Sequence, residues 1–98
     1  MTAKKIIITG GATRIGAAIA NSLANYETVI TIHYNKSKNN ALKLKKELEN
    51  LGSEVHLIKA DLNNINQTQK LLKIAYKKMR GVDCLINNAS LFENDNLQ

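Results

Sequence analysis

Apolar residues recur with two different periods along this 98-residue chain. Short runs rich in Ile and Val are typical of strands buried on both faces of a parallel sheet. Longer stretches with an apolar residue every three or four positions are typical of amphipathic helices. The two patterns alternate and predict seven elements: strand Lys4–Thr9, helix Arg14–Ala24, strand Thr28–Tyr34, helix Asn39–Leu51, strand Glu54–Lys59, helix Gln67–Met79 and strand Val82–Asn87.

This alternation indicates an α/β fold with a doubly wound, Rossmann-like parallel sheet. Because strand–helix–strand crossovers are right-handed, we expect four strands in the order 3-2-1-4. A complete sheet of this kind has about six strands, and residues 91–98 are too few and too polar to add the rest. The sequence therefore predicts a partial sheet, with the fourth strand as an open edge and one face covered by little more than the third helix.

Each predicted helix carries one apolar stripe for packing on the sheet. The stripe residues are Ile15, Ile19 and Leu23 in the first helix, Ala41, Leu44, Leu48 and Leu51 in the second, and Leu71, Leu72, Ala75 and Met79 in the third. Gly52 and Gly81 follow the second and third helices, where glycine adopts the left-handed conformation at low cost. Cys84 is the single cysteine, so we expect a small buried apolar residue there and neither a disulfide nor a metal site.

The chain is basic, with 14 Lys and Arg against 8 Asp and Glu and a formal net charge of +6. Most of the lysines lie on predicted solvent faces of helices, without interleaved aromatic residues or a nucleic-acid motif, so we expect no nucleic-acid partner. No apolar run approaches the ~20 residues needed to cross a bilayer, and no signal peptide is evident. We therefore expect a cytoplasmic protein without membrane contact.

The segment from Ile6 to Gly16 passes from a buried strand through glycine directly into a helix. Glycine lets the backbone come close to a phosphate, and the N–H groups at the start of a helix point at the anion. A nucleotide cofactor is therefore the first hypothesis, with a tight turn that binds nothing as the alternative. Ala17 and Ala18 stand where a P-loop has Lys and Ser or Thr, which excludes that class of site.

Arg14 and the segment after the second strand favour a phosphorylated ribose. A cation at a helix N-terminus opposes the helix dipole by ~0.3–1 kcal/mol, so Arg14 suggests an anion nearby, unless its side chain extends into solvent. Lys36 and Ser37 offer a cation and a hydroxyl where NAD-binding proteins have a carboxylate for the ribose hydroxyls. We therefore expect NADP(H) rather than NAD(H), with an ordinary loop lysine as the alternative for Lys36.

Three motifs at predicted strand ends resemble those of the short-chain dehydrogenases/reductases. Thr9 to Gly16 resembles the loop Thr-Gly-x-x-x-Gly-x-Gly with Arg14 in place of the middle glycine, and Asn87 to Ser90 resembles Asn-Asn-Ala-Gly. Asp61 and Leu62 follow the third strand, where the family binds adenine. By residue type alone, Asp61 is equally a cap or turn residue, and paired asparagines are commonly a turn. The resemblance implies cofactor contacts from Gly10, Arg14, Ile15, Gly16, Tyr34, Asn35, Lys36, Ser37, Asp61, Leu62, Asn88, Ala89 and Ser90.

Where the sequence departs from the general motifs of that family, it resembles one branch, the pteridine reductases. The shared features are Arg14 in the glycine loop, the segments His33–Ser37 and Ala60–Leu62, and the Asn-Asn-Ala-Ser-x-Phe run that ends at Phe92. The resemblance implies that Arg14 bridges phosphate and pterin, that Ser90 bonds to the pterin or a cofactor phosphate, and that Phe92 stacks on the pterin ring. A single apolar residue anchoring a loop is the alternative for Phe92.

The resemblance covers only the N-terminal part of the family's length. We therefore expect residues 1–98 to be one NADP-binding part of a Rossmann domain, without the family's catalytic Tyr-x-x-x-Lys. Tyr34 and Lys38 have that spacing but lie beside the adenosine end, so no catalytic residue is predicted and the isolated chain should be inactive. The complete enzyme would be a homo-oligomer that transfers hydride from NADPH to a pterin or dihydropterin. The alternatives are a 3-oxoacyl or other carbonyl reductase, a non-catalytic nucleotide-binding module, and a truncated remnant.

Overall fold

Parallel strands and helices alternate along residues 3–88, the part of the chain that this computed structural model describes. The elements are β1 (Lys4–Thr9), α1 (Arg14–Leu23), β2 (Thr28–Tyr34), α2 (Lys38–Asn50), β3 (Glu54–Lys59), α3 (Ile65–Met79) and β4 (Cys84–Asn87). The strands form one sheet in the order β3-β2-β1-β4, with all neighbours parallel. The predicted fold class and strand order are therefore confirmed.

Helices pack on both faces of the sheet, which is why its inner strands are rich in Ile and Val. Side chains alternate along a strand, so Ile8 of β1 points to one face and Ile7 to the other. On the face of Ile8, the sheet packs against Ala20 of α1 and Leu48 of α2. On the face of Ile7, it packs against α3 through residues such as Leu71. The three helices thus fix the sheet between two apolar layers.

Strand β4 is the edge of the described sheet, as predicted, but the burial of Cys84 differs from the prediction. It pairs with β1, where Leu85 lies opposite Ile7. Cys84 is exposed rather than buried, and Leu85 is 50% exposed. The expectation of a buried cysteine is therefore wrong, because the helices formed by residues 3–88 leave this part of β4 uncovered.

Three of the predicted stripe residues lie outside the core. Ile15, Leu51 and Leu72 are 49%, 46% and 41% exposed. Ile15 is in the first turn of α1, at the edge where the strands end, and Leu51 is the C-cap that follows the last residue of α2. Leu71, next to Leu72, occupies the core position on α3.

Three elements begin at different residues from those predicted. Helix α2 starts one residue early, at Lys38, and the other two differ for local reasons. Helix α3 starts two residues early because the Asn64 side chain accepts hydrogen bonds from the N–H groups of Asn66 and Gln67, at 2.9 and 3.2 Å. Strand β4 starts two residues late, after Asp83, whose carboxylate accepts the Lys5 N–H at 2.8 Å. No helix within residues 3–88 has the length and apolar character that crossing a bilayer requires.

Left-handed backbone follows α2 and α3, with one change from the prediction. Gly52 and Gly81 have positive φ, at 105° and 133°. The residue that ends α3 in the left-handed helical region is Arg80, however, with φ of 64°. Its N–H donates to the carbonyl of Tyr76, so the cap that we assigned to Gly81 is formed one residue earlier.

Two buried threonines on β2 give a matched test of the packing. Thr31 is fully buried, and its hydroxyl has no hydrogen-bond partner among residues 3–88. The hydroxyl of Thr28 lies 2.6 Å from that of Ser53 and 3.0 Å from the carbonyl oxygen of Asn25. Thr31→Val, which keeps the shape and removes an unpaired polar atom, should raise the free energy of unfolding by about 1 kcal/mol.

Thr28→Val is the control and should lower the free energy of unfolding by about 1–2 kcal/mol, because it removes the hydrogen bonds that the Thr28 hydroxyl makes with Ser53 and Asn25. Both variants are measured by urea denaturation of the purified protein. A Thr31→Val variant less stable than the wild type would contradict the described environment of β2.

Candidate functional site

The predicted binding residues among residues 3–88 gather at one edge of the sheet. Gly10, Tyr34, Asp61 and Asn88 each lie at or just after the carboxyl end of a strand. Since the strands are parallel, these ends meet at the same edge. The chain leaves β1 on one side for β2 and reaches β4 on the other, and such a reversal of strand order opens a crevice where α/β sheets bind ligands.

The backbone of Gly10 turns the chain out of β1. Gly10 has a φ of 64°, in the region that residues with a side chain rarely adopt. Its N–H donates to Nδ1 of His33 at 2.9 Å, and the next N–H, of Gly11, donates to the carbonyl of His33 at 3.1 Å. The start of the loop is therefore fixed against the end of β2.

The carbonyl of Gly10 is held by two side chains. It accepts from the hydroxyl of Thr13 at 2.7 Å and from Nδ2 of Asn88 at 3.1 Å. Asn88 is 3% exposed, and its Nδ2 also donates to the Thr13 hydroxyl at 3.2 Å. That hydroxyl in turn accepts the N–H of Gly16 at 3.1 Å and so caps α1. Asn88 therefore ties the end of β4 to the loop after β1.

Gly16 is required by the close approach of α1 to the loop. A Cβ on Gly16 would lie 2.3 Å from the Gly10 oxygen and 2.7 Å from the Cα of Gly11. Both contacts are with backbone, which a side-chain rotation cannot relieve. The first turn of α1 can thus lie directly against the turn that leaves β1.

The start of α1 leaves donors and positive charge at the surface. Arg14 and Ile15 are exposed, and the first turn contains no acidic residue. Among residues 3–88, no acceptor binds the N–H of either residue, and the Arg14 side chain forms no ion pair. Backbone N–H groups at a helix start carry part of the helix dipole, so this surface favours an anion.

The connection from β2 to α2 lies beside this positive surface. Tyr34 and Asn35 are half-buried, whereas Lys36 and Ser37 are exposed. Ser37 directly precedes α2, yet its side chain makes no capping hydrogen bond. Its hydroxyl is therefore not committed to the helix.

A cavity of about 270 Å³ lies between α1 and α2 next to the glycine loop. Thr13, Arg14 and Ala17 line it from one side, and α2 contributes Lys43 and Glu47. Two cations and one carboxylate thus surround a space that opens beside the loop.

Asp61 takes the turn role that its residue type allowed. Its carboxylate accepts the N–H of Asn63 at 3.0 Å, and its own N–H donates to Oε1 of Gln67 at 2.8 Å. The cap of α3 is Asn64 rather than Asp61. Leu62, partly buried, packs on the apolar layer under α3.

Three predicted residues, Ala89, Ser90 and Phe92, lie outside the described residues. Among residues 3–88, no group of three or more His, Cys, Asp or Glu side chains is arranged to hold a metal. The sequence reasoning assigned no role to His33 or Thr13, which bind the loop directly. For Thr13, the signal was present, since Thr just before an apolar helical stripe is a common N-cap.

The parallel sheet and its glycine turn define an α/β protein of the Rossmann type. Comparison with known families identifies it further, because the model of the short chain dehydrogenase family matches residues 4–98. The chain belongs to this family.

Curated relatives agree with this assignment. The chain is 35% identical over 94 residues to the 3-oxoacyl-[acyl-carrier-protein] reductase FabG of Buchnera aphidicola subsp. Baizongia pistaciae, covering 95% of this chain and 37% of that protein. It is 28% identical over 88 residues to the short-chain dehydrogenase/reductase homolog YusS of Bacillus subtilis, covering 90% of this chain and 81% of that protein. The chain spans little more than a third of the length of several other relatives.

Solved structures share the fold. A short-chain dehydrogenase from Oenococcus oeni PSU-1 superposes with a TM-score of 0.81 at 38% identity, over 88% of this chain and 40% of that one. A protein from Burkholderia cenocepacia with bound NADP superposes with a TM-score of 0.81 at 29% identity, over 88% of this chain and 34% of that one. The NADH-dependent reductase A1-R′ complexed with NAD superposes with a TM-score of 0.79 at 29% identity, over 88% of this chain and 36% of that one. Similar structures thus hold either nucleotide.

The close contact at Gly16 gives a sharp test of the site. Gly16→Ala should lower the free energy of unfolding by about 3 kcal/mol or prevent folding, because the new Cβ overlaps backbone atoms of Gly10 and Gly11. Gly11→Ala is the matched control in the same loop. Its Cβ would meet two methyl groups of the buried Ile32 side chain at 2.9 Å and the Ile8 carbonyl oxygen at 3.3 Å. These contacts are longer than the backbone contacts at Gly16, so a smaller loss of about 1–2 kcal/mol is expected.

Both variants are compared with the wild type by urea denaturation. Equal losses of stability in the two variants would contradict the close backbone contact described here.

Proposed function

We propose that this chain is the NADP(H)-binding part of a short-chain reductase that transfers hydride from NADPH to a small-molecule substrate. The observation that carries the proposal is the positive charge that Arg14 and Lys36 give to the carboxyl edge of β1 and β2, with no acidic residue in the first turn of α1 or between residues 33 and 40. We also expect a homo-oligomeric full-length form, as the family resemblance suggests, and a cytoplasmic location.

The glycine loop would bind the pyrophosphate. The N–H groups of Arg14 and Ile15 at the start of α1 are without acceptors among residues 3–88, and a phosphate there is stabilised by both hydrogen bonds and the helix dipole. Gly10 turns the chain out of β1 at positive φ, and Gly16 lets α1 begin directly against that turn. The chain thus supplies donors and an open backbone surface.

The ribose 2′-phosphate would bind between Arg14 and the connection from β2 to α2. No carboxylate occurs between residues 33 and 40, so the ribose hydroxyls of NAD would lack their usual acceptor. Lys36 and the hydroxyl of Ser37 could instead donate to a phosphate, with the Arg14 guanidinium completing the charge balance. This difference in residue type supports NADP(H) over NAD(H).

The remaining cofactor contacts are proposed from position. Tyr34 and Asn35 would line the adenosine ribose, Asp61 and Leu62 the adenine, and Asn88 and Ala89 the nicotinamide side. NADPH supplies the hydride when it is bound. We assign no catalytic residue within the chain.

We propose a pterin or dihydropterin as the substrate, held by Arg14, Ser90 and Phe92. An aromatic ring stacks well on a flat heterocycle, and a guanidinium offers a planar set of donors. The alternative is a 3-oxoacyl substrate, which is supported by the 35% identity to the FabG of Buchnera aphidicola. The two substrates differ in shape and charge, so they can be distinguished by binding.

The choice of cofactor is tested by fluorescence titration of the purified protein with NADPH and NADH. The wild type should bind NADPH more tightly. Arg14→Ala and Lys36→Ala should each weaken NADPH binding about 10-fold, the effect of losing a charge-assisted hydrogen bond, and affect NADH less.

Lys78→Ala is the control for that titration, because it removes the same charge from the last turn of α3, far from the strand ends that form the site. It should leave both affinities unchanged. Equal affinity of a folded wild type for NADPH and NADH, insensitive to Arg14 and Lys36, would contradict the proposal.

The substrate class is tested by calorimetric titration of the NADP⁺-saturated protein with a dihydropterin and with a 3-oxoacyl thioester. The dihydropterin should bind, and Phe92→Leu should weaken its binding about 5-fold by removing the aromatic stack. Binding of the thioester alone would favour the alternative substrate, and Phe92→Leu should then have no specific effect.

A further inference from the structure

The imidazole of His33 connects two backbone segments at the candidate site. His33 lies on β2 and is 2% exposed. Its Nδ1 lies 2.9 Å from the backbone nitrogen of Gly10, and its Nε2 lies 2.8 Å from the carbonyl oxygen of Ala60. A single buried ring thus joins the turn after β1 to the turn after β3.

The two contacts define the protonation of the ring. The Gly10 N–H is a donor, so Nδ1 must offer a lone pair, and the Ala60 carbonyl is an acceptor, so Nε2 must carry the proton. The ring is therefore the neutral Nε2–H tautomer. The bond to Ala60 fixes this tautomer and the ring orientation, so Nδ1 faces Gly10.

The Gly10 peptide determines which way the loop faces. His33 takes the N–H of Gly10 through its ring and the N–H of Gly11 through its own carbonyl, at 3.1 Å. These two donors are directed at β2, whereas those of Arg14 and Ile15 have no acceptor within residues 3–88. The carbonyl that Thr13 and Asn88 bind belongs to the next peptide group, Gly10–Gly11, so the planar groups on both sides of the Gly10 Cα are held.

We propose that His33 is a positioning residue for NADP(H): its Nδ1 holds the Gly10 peptide in the orientation in which the start of α1 receives the pyrophosphate. This inference rests on the proposed function. The inference goes beyond the proposed function because the imidazole acts through the loop, without contacting the nucleotide.

Two variants separate the acceptor at Nδ1 from the donor at Nε2. In His33→Asn, the amide oxygen can take the place of Nδ1 and accept from Gly10. In His33→Gln, the longer amide can donate to Ala60 but offers no acceptor at the Nδ1 position. Both variants are neutral and smaller than His, so they serve as controls for each other.

The readouts are the dissociation constants of NADPH and of adenosine 2′-monophosphate, with urea denaturation of each variant. The monophosphate lacks the pyrophosphate and reports only on the adenosine end. His33→Gln should weaken NADPH binding about 10-fold, as the loss of one buried hydrogen bond implies. His33→Asn should stay within about 3-fold of the wild type. In His33→Gln the affinity for the monophosphate should fall less than that for NADPH, because the Arg14 side chain is the one group at the start of α1 that we place on this ligand.

Several results would overturn the positioning role. One is equal NADPH affinity in the wild type and both variants. Another is a parallel loss for NADPH and the monophosphate, which would indicate a merely structural histidine. A folded wild type that binds neither ligand would overturn the proposed function itself, and the positioning role with it.

Nitrogen NMR of the ring in the wild-type protein tests the same bond if a variant does not fold. The inference requires an unprotonated Nδ1 and a protonated Nε2. A ring protonated on Nδ1 would overturn it, because that nitrogen could not then accept from Gly10.

Discussion

The candidate site depends on how the peptide groups of Gly10 are held. The N–H donates to His33, and the carbonyl accepts from Thr13 and Asn88. These side chains come from β2, from the cap of α1 and from the end of β4, so one residue of backbone is bound by three parts of the fold. Without these bonds, a glycine-rich turn would sample many conformations. With them, the turn has one conformation, and α1 begins in a fixed place relative to the sheet.

The chemistry of the site follows from what this arrangement leaves unpaired. A helix start already attracts anions, and here it carries Arg14 with no acidic residue in the first turn. Lys36 follows on the next connection, so positive charge accumulates around a short stretch of donors. Mutual repulsion between these groups is relieved by a ligand with several negative charges, such as a nucleotide with a pyrophosphate and a further phosphate. The fold is shared with structures that hold NADP and with structures that hold NAD, so our preference for NADP(H) rests on these side chains.

Local sequence pattern predicted the fold because each element has its own signal. The Ile and Val runs are typical of buried strands, and most residues of each apolar stripe pack against the sheet. Features that depend on distant neighbours were harder to predict. The exposure of Cys84, for example, depends on which elements cover β4. The early start of α3 was missed for a different reason, because it depends on the local Asn64 cap and not on apolar spacing.

In the candidate site, too, features with a local sequence signal were predicted, whereas a feature that depends on distant residues was missed. Glycine spacing identified the loop, and the acid-free segment after β2 suggested the cofactor. His33 was missed because its role depends on two residues far away in sequence, Gly10 and Ala60, which only the parallel pairing of β1, β2 and β3 brings to either side of the ring. The roles of Ser90 and Phe92 remain predictions from the resemblance to pteridine reductases.

The most direct test of the central claim is a crystal structure of the protein with NADP⁺. Our account predicts the pyrophosphate at the N–H groups of Arg14 and Ile15, the 2′-phosphate within hydrogen-bonding distance of the Arg14 and Lys36 side chains, and the Gly10–His33 bond intact. A nucleotide bound elsewhere, or one bound at the loop with its 2′-phosphate directed away from both cations, would contradict it.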